Sequence, residues 1–231
     1  MAKDLDRILN DIPGFLSKRE ADFLYDVVRK NGGTIVEIGS LYGRSTVVLA
    51  DALKNSDKKG RVYAIDPQYF DDLALGQLKS NLNKHNVDGF VEVVVATSEE
   101  ASKNWNKPVD FLWIDGDHTY KMAETDFLLW EPYLREGGII AYHDATFNYP
   151  DVRKVVSRYI LRSRKFRNAG FIDNILFATK CRRSSLKDAV ESLYTLSLKN
   201  MVTSSIYIKP PRFIKELVKP LVRKFSRSNY K

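Results

Sequence analysis

The stretch TIVEIGSLYGRSTVVLA, residues 34–50, decides how the rest of the chain reads. Its first five residues are an apolar, β-branched run of strand length. Gly39 and Gly43 then bound a short turn, and from Arg44 the spacing is that of a helix. A strand, a tight turn and a helix make the first half of a βαβ unit. The two glycines permit the turn and a close approach of backbone to a ligand. The helix that follows presents free N–H groups and the positive end of its dipole, suited to an anionic group.

The alternation continues on both sides. Residues 17–30 predict a helix, capped by Ser17 with Glu20 three positions on and stopped at Asn31-Gly32-Gly33. Downstream, strands are expected at 61–65, 90–95, 109–114 and 139–142, with helices at 71–84, 97–103 and 120–133 between them. A helix over 151–161 and a closing strand over 172–179 follow. The strands are almost continuously apolar, as when both faces of a sheet are covered. The fold class is therefore α/β, with a mostly parallel sheet, right-handed crossovers and helices on both faces. Beyond it, residues 184–198 predict a helix, and 213–225 an amphipathic one that Pro220 kinks or divides. The expected division is a sheet domain over 1–181 and a basic, helical C-terminal extension over 182–231.

Charge follows the same division. The 231 residues carry a net +8, but residues 1–150 hold 17 Lys and Arg against 24 Asp and Glu, while 151–231 hold 20 against 5. The basicity belongs to the C-terminal third. The amphipathic segment 212–227 has three readings. It fits an anionic membrane surface, touched peripherally through its Phe/Leu/Val and Lys/Arg faces. It fits a phosphate, acidic-glycan or nucleic-acid surface. Or its apolar face packs on the domain or on a second subunit, giving a homo-oligomer. The single cysteine, Cys181, excludes an intramolecular disulfide and a cysteine-rich zinc site. No apolar run reaches the ~18 residues of a spanning helix, and MAKDLDRILND is no signal peptide. A cytoplasmic location is the expectation.

Ligands of open α/β sheets bind beyond the carboxyl ends of the strands. Asp66 follows the second strand, where an acid can accept bonds from both ribose hydroxyls. The loop at 39–43 is neither the G-x-G-x-x-G fingerprint nor a P-loop. Asp115, Asp117 and His118 follow the fourth strand, and His143 and Asp144 the fifth. Those ends are neighbours, so three carboxylates and two of the three histidines should converge. Burying so many acids demands a cation or hydrogen-bonding partners, and a divalent cation taking oxygen ligands is one solution. His85 reads as a surface residue, and Trp113 and Trp130 as core. Tyr42, Tyr69, Phe70, Tyr120, Phe147 and Tyr149 fall in loops on the ligand side, where aromatic rings could wall a substrate pocket.

The segments VEIGSLYGRSTVVLA (36–50), AIDP (64–67), FLWIDGDHTY (111–120) and LREGGIIAYHD (134–144) together resemble the class I S-adenosylmethionine-dependent methyltransferases. The last two resemble most the branch that methylates hydroxyls of sugars and natural products, related to catechol O-methyltransferases. The resemblance covers roughly residues 15–180. It implies a Rossmann-like, seven-stranded methyltransferase fold and S-adenosylmethionine as cofactor. Glu37, Gly39, Ser40, Gly43 and Ser45 would surround its methionine end, Asp66 its ribose, Thr97 and Ser98 its adenine, with Asp115 nearby.

The metal-dependent members of that branch imply a Mg²⁺ or Mn²⁺ on Asp115, His143 and Asp144. At His143 an oxygen ligand is usual, and imidazole suits Mn²⁺ better than Mg²⁺. His118 would be the general base, acting with Asp115 on a hydroxyl of a sugar, glycoconjugate or similar small molecule. The motif of amino-group nucleic-acid methyltransferases is absent after the fourth strand, so nucleic acid is not the expected partner. An N-methyltransferase or aminopropyltransferase-like enzyme on the same fold, and a cofactor-binding module without turnover, are the alternatives.

Overall fold

The computed structural model describes residues 5–69, 71–146 and 148–207. The segment 212–227, Phe70 and Phe147, all singled out above, lie outside the described residues. Seven strands form one sheet: β1 Gly33–Ile38, β2 Gly60–Ile65, β3 Val91–Val94, β4 Val109–Ile114, β5 Leu134–Tyr142, β6 Phe166–Ile172 and β7 Ile175–Lys180. Their order is β3-β2-β1-β4-β5-β7-β6. The first five run parallel, and β7 enters antiparallel between β5 and β6.

The helices are α1 Leu5–Asp11, α2 Lys18–Asn31, α3 Arg44–Lys54, α4 Ala74–Lys84, α5 Ser98–Lys103, α6 Tyr120–Trp130, α7 Pro150–Val156 and α8 Leu186–Tyr207. A π-helical turn, Ser157–Leu161, extends α7. Two apolar layers result, one on each face of the sheet. One joins α1, α2 and α3 to Ile35, Val62, Phe111 and Trp113. The other joins α6 and α7 to Val36, Leu112, Ile140 and Tyr142. Trp113 and Trp130 are fully buried, as expected.

Two expectations need correction. The single closing strand over 172–179 is a hairpin, turning at Asp173 (φ 46°) and Asn174, with β6 as an unforeseen edge strand. Its run FRNAGFI conceals it: the register shifts between Arg167 and Gly170, and Asn168 has φ 53°. His85 is not a surface residue. Its side chain is 7% exposed beside Asp11, with Nε2 3.4 Å from a carboxylate oxygen. The short helix α1, which buries Leu5 and Ile8, was also not anticipated.

Past the hairpin the chain stays attached. The Ser184 amide donates to the Arg164 carbonyl at 2.7 Å, and the Arg164 guanidinium returns a bond of 2.7 Å to the Ser184 carbonyl. α8 then lies against β6. None of the helices among the described residues is long and apolar enough to cross a membrane.

Candidate active site

The sheet ladder runs one residue past each strand and so lines up the loop residues. The Asp66 amide donates to Val94, Gly39 to Ile65, Asp115 to Ile38 and His143 to Ile114, at 2.8–3.1 Å. Asp66, Gly39, Asp115 and His143 thereby form a row along the carboxyl edge.

The loop after β1 is shaped by what surrounds it. Gly39 has φ +88°, and a Cβ there would stand 2.2 Å from the Asp115 carbonyl oxygen. Gly43 has φ +87°, and its Cβ would meet Leu78 Cδ1 at 2.4 Å. Packing against the end of β4 and against α4 thus already demands glycine, apart from any ligand. Asp66 Oδ2 accepts the Ser40 and Leu41 amides, each at 2.9 Å, and Oδ1 accepts the Gln68 amide at 2.7 Å. An ionised carboxylate has lone pairs to spare for hydroxyls beyond these three bonds. Gly43 caps α3 with no side-chain hydrogen bond, which leaves the first amides of the helix to a ligand.

Glu37 is fully buried beneath this loop. Ser45 Oγ donates to it at 2.5 Å and Thr46 Oγ1 at 2.6 Å. Burial outweighs these bonds and pushes its carboxyl up to about 8. Ser45 therefore serves Glu37 rather than facing outward. Thr97 closes a capping box with Glu100 at the start of α5, and Ser98 Oγ accepts the Trp130 indole N–H at 2.9 Å. Beside Ser98, Asp126 is buried with Oδ1 unpartnered, and burial raises its carboxyl to about 6.

The ends of β4 and β5 bring the predicted acids and histidines together, with one exchange. Asp117 turns away into solvent and accepts the Thr119 amide at 2.7 Å. In its place stands Glu20 of α2, completely buried, with Oε2 3.5 Å from His143 Nε2. The other ring nitrogen, Nδ1, lies 3.1 Å from Asp115 Oδ1 and 3.3 Å from Asp144 Oδ2. His118 Nε2 is 3.0 Å from the same Asp144 oxygen, and its ring stacks obliquely on Tyr149 at 4.5 Å. Asp144 itself has φ 52°.

Charge follows from these contacts. Burial opposes a charged His143, but the carboxylates of Asp115, Asp144 and Glu20, within 3.1–3.5 Å of the ring nitrogens, prevail and push it up to about 12. Burial likewise opposes a charged Asp144, yet His118 and His143 hold it well below the usual carboxylate range. Burial lifts Asp115. Hydrogen bonding to Asp144 raises His118, against a smaller effect of burial. His143 thus differs from the ligand expected at its position, because both its nitrogens face carboxylates. Among the described residues, the group whose donor atoms all lie within 4.8 Å of one another is Asp115, His118 and Asp144. Two carboxylates and an imidazole suit a divalent cation such as Mn²⁺.

The aromatic residues divide. Tyr149 touches His118, whereas the Tyr42 hydroxyl donates to Asp71 at 2.7 Å and that of Tyr120 to Glu124 at 2.8 Å. Tyr69 is 82% exposed.

Residues 36–145 match the family model described as a methyltransferase domain. An uncharacterized protein of Acanthamoeba polyphaga mimivirus is 28% identical over 139 residues. That alignment covers 56% of this chain and 58% of the viral protein. Among solved structures, an O-methyltransferase from Bacillus cereus in complex with SAH superposes with a TM-score of 0.60 at 21% identity, over 78% of this chain and 93% of that one. TomG, an O-methyltransferase of Streptomyces achromogenes involved in tomaymycin synthesis and solved with SAM, gives 0.62 at 18% identity, over 78% and 91%. At such identities the likeness is one of fold.

Proposed function

We propose, from the match of residues 36–145 to a methyltransferase-domain model, that this chain transfers a methyl group from S-adenosylmethionine to a hydroxyl of a sugar, glycoconjugate or similar small molecule. The observation that carries the acceptor class is the pairing of the half-exposed His118 with Asp144 at 3.0 Å. An imidazole oriented by a carboxylate suits removal of a hydroxyl proton. The O-methyltransferase names of the structural neighbours agree with this reading.

S-adenosylmethionine, when bound, supplies an electrophilic methyl on a sulfonium. The residues suited to hold it are Gly39, Ser40 and Gly43 with the open amides of α3, and Asp66 for the ribose hydroxyls. Ser45 and Glu37 support the loop from below, and Thr97, Ser98 and Asp126 stand along the expected adenine side. Holding the acceptor in line with the methyl contributes the larger share of such catalysis. With Nε2–H donated to Asp144, His118 takes the hydroxyl proton at Nδ1 as the oxygen attacks. Asp144 orients that ring and stabilises its charged form. Asp115 and Asp144 face any divalent cation, which would lower the pKa of the hydroxyl. The single lone pair of the neutral His118 ring cannot serve a metal and a proton at once, and we assign it to the proton.

Turnover with S-adenosylmethionine over a panel of hydroxyl acceptors tests the proposal. His118→Ala should abolish methyl transfer while S-adenosylmethionine affinity, by calorimetry, stays within a few-fold and Mn²⁺ still binds. Lost Mn²⁺ binding would make His118 a ligand instead of the base. Because His118 must be neutral to act and its pKa lies above 6.5, activity should climb with pH through a midpoint higher than that value. A parent chain that binds no S-adenosylmethionine would overturn the whole reading.

A further inference from the structure

We propose that Glu20, on the first turn of α2, is a positioning residue for the reaction site and acts through His143. The inference rests on the methyl-transfer reading above and extends it to an element outside the loops that form the site. Glu20 is 0% exposed, and each carboxylate oxygen is fixed. Oε1 accepts the Asn174 amide at 2.8 Å, and Oε2 accepts the Ser17 amide at 2.8 Å while lying 3.5 Å from His143 Nε2. Since imidazole is rigid, holding its Nε2 edge sets the direction of Nδ1, which faces Asp115 and Asp144 at 3.1 and 3.3 Å.

The backbone around Asp144 needs such support. A non-glycine residue at φ 52° sits in a sparsely populated conformation that only its surroundings maintain. Those surroundings are the same turn that engages Glu20: the Ala145 amide donates to the Asn174 carbonyl at 3.0 Å. Three separate ties join the start of α2 to this turn: Ser17 Oγ and Arg19 bind Asp173 at 3.0 and 2.7 Å, and Glu20 accepts the Asn174 amide, so loss of the Ser17 hydroxyl alone leaves the turn held beneath His143 by the other two.

A capping glutamate requires none of this. Glu100 fills the same place in the capping box of α5 and is exposed. The burial of Glu20 and its approach to His143 are additional to helix capping.

The test uses the full chain with Glu20→Gln, His143→Asn, the double variant, and Ser17→Ala as a control that disturbs the same cap. Glu20→Gln should reduce kcat and Mn²⁺ affinity about 10- to 100-fold, the usual effect of losing a partner behind a site residue, with S-adenosylmethionine affinity within threefold. The loss should vanish in the His143→Asn background, because the route is through the ring. Ser17→Ala should keep kcat, although its melting temperature falls about as far as that of Glu20→Gln. NMR should show a slowly exchanging ring N–H of His143 in the parent and in Ser17→Ala, and not in Glu20→Gln. An equal loss with and without His143, or an equal kcat loss in Ser17→Ala, would reduce Glu20 to a cap and overturn the proposal. If the parent shows no methyl transfer, the Mn²⁺ and ring N–H measurements still decide the case of Glu20 separately.

Discussion

Glu37 shows how far one side chain can be read from sequence. An acid at the end of the first strand pointed to the cofactor site. What it accepts there, the hydroxyls of Ser45 and Thr46, depends on the first turn of α3 packing over it. Its consequence is a pH dependence of stability. An unfolded glutamate ionises near 4.5, whereas the folded one holds its proton to about 8. Between those values the native state binds more protons than the unfolded one, so stability falls as pH rises, by at most about 1.4 kcal/mol per unit, and levels off above 8. Glu37→Gln mimics the protonated form and should flatten this slope, leaving the variant more stable than the parent at pH 9. Urea melts across pH 5–9 would check it, and parallel slopes would count against a neutral Glu37. Glu20 lies at the opposite extreme. Its place three residues after Ser17 was legible as helix capping, but the approach to His143 was not, because that contact depends on a turn 154 residues away.

Among elements, those with long apolar runs or clear helical periods appeared where the sequence put them: β1, β2, β4, α2, α3 and α6. The misses were short or broken. β6 carries Arg167, Asn168 and Gly170 inside its run, and the seven residues of α1 fully bury only Leu5 and Ile8. α1 is held instead by a side chain remote from it. Arg44 donates through Nε to Ile12 at 2.7 Å, through Nη2 to Leu9 at 2.9 Å and through Nη1 to Leu16 at 3.2 Å, all main-chain carbonyls. One guanidinium thus satisfies the end of α1 and fixes the approach to α2. Lysine cannot reach three carbonyls with that geometry. Arg44→Ala and Arg44→Lys should both lose about 2–3 kcal/mol, as expected when buried carbonyls lose their donors. Hydrogen exchange would locate the damage in α1, and full rescue by lysine would refute the account.

For the molecule as a whole, the mostly parallel sheet was legible from strand–helix alternation at βαβ spacing, and the adjacency of the β4 and β5 ends with it, whereas the full strand order comes from the structure. The boundary at 181/182 is a chemical test still to be made. Ser184 and Arg164 exchange main-chain and guanidinium bonds across it, and α8 covers β6. A chain ending at Cys181 should melt about 5 °C or more below the full chain, since roughly 2 kcal/mol shifts a domain of this size by that much. An unchanged melting temperature would make the segment from 182 onward a true appendage. The hairpin of β6 and β7 has one further effect, on biosynthesis. Glu20 leaves the ribosome early and its partner Asn174 some 150 residues later, yet the two must meet beneath His143. The β1 loop can take shape once β2 and β4 are made, so the nascent chain acquires the cofactor-side loop first. The candidate reaction centre has its contacts from Asn174 only once the β6–β7 turn is made.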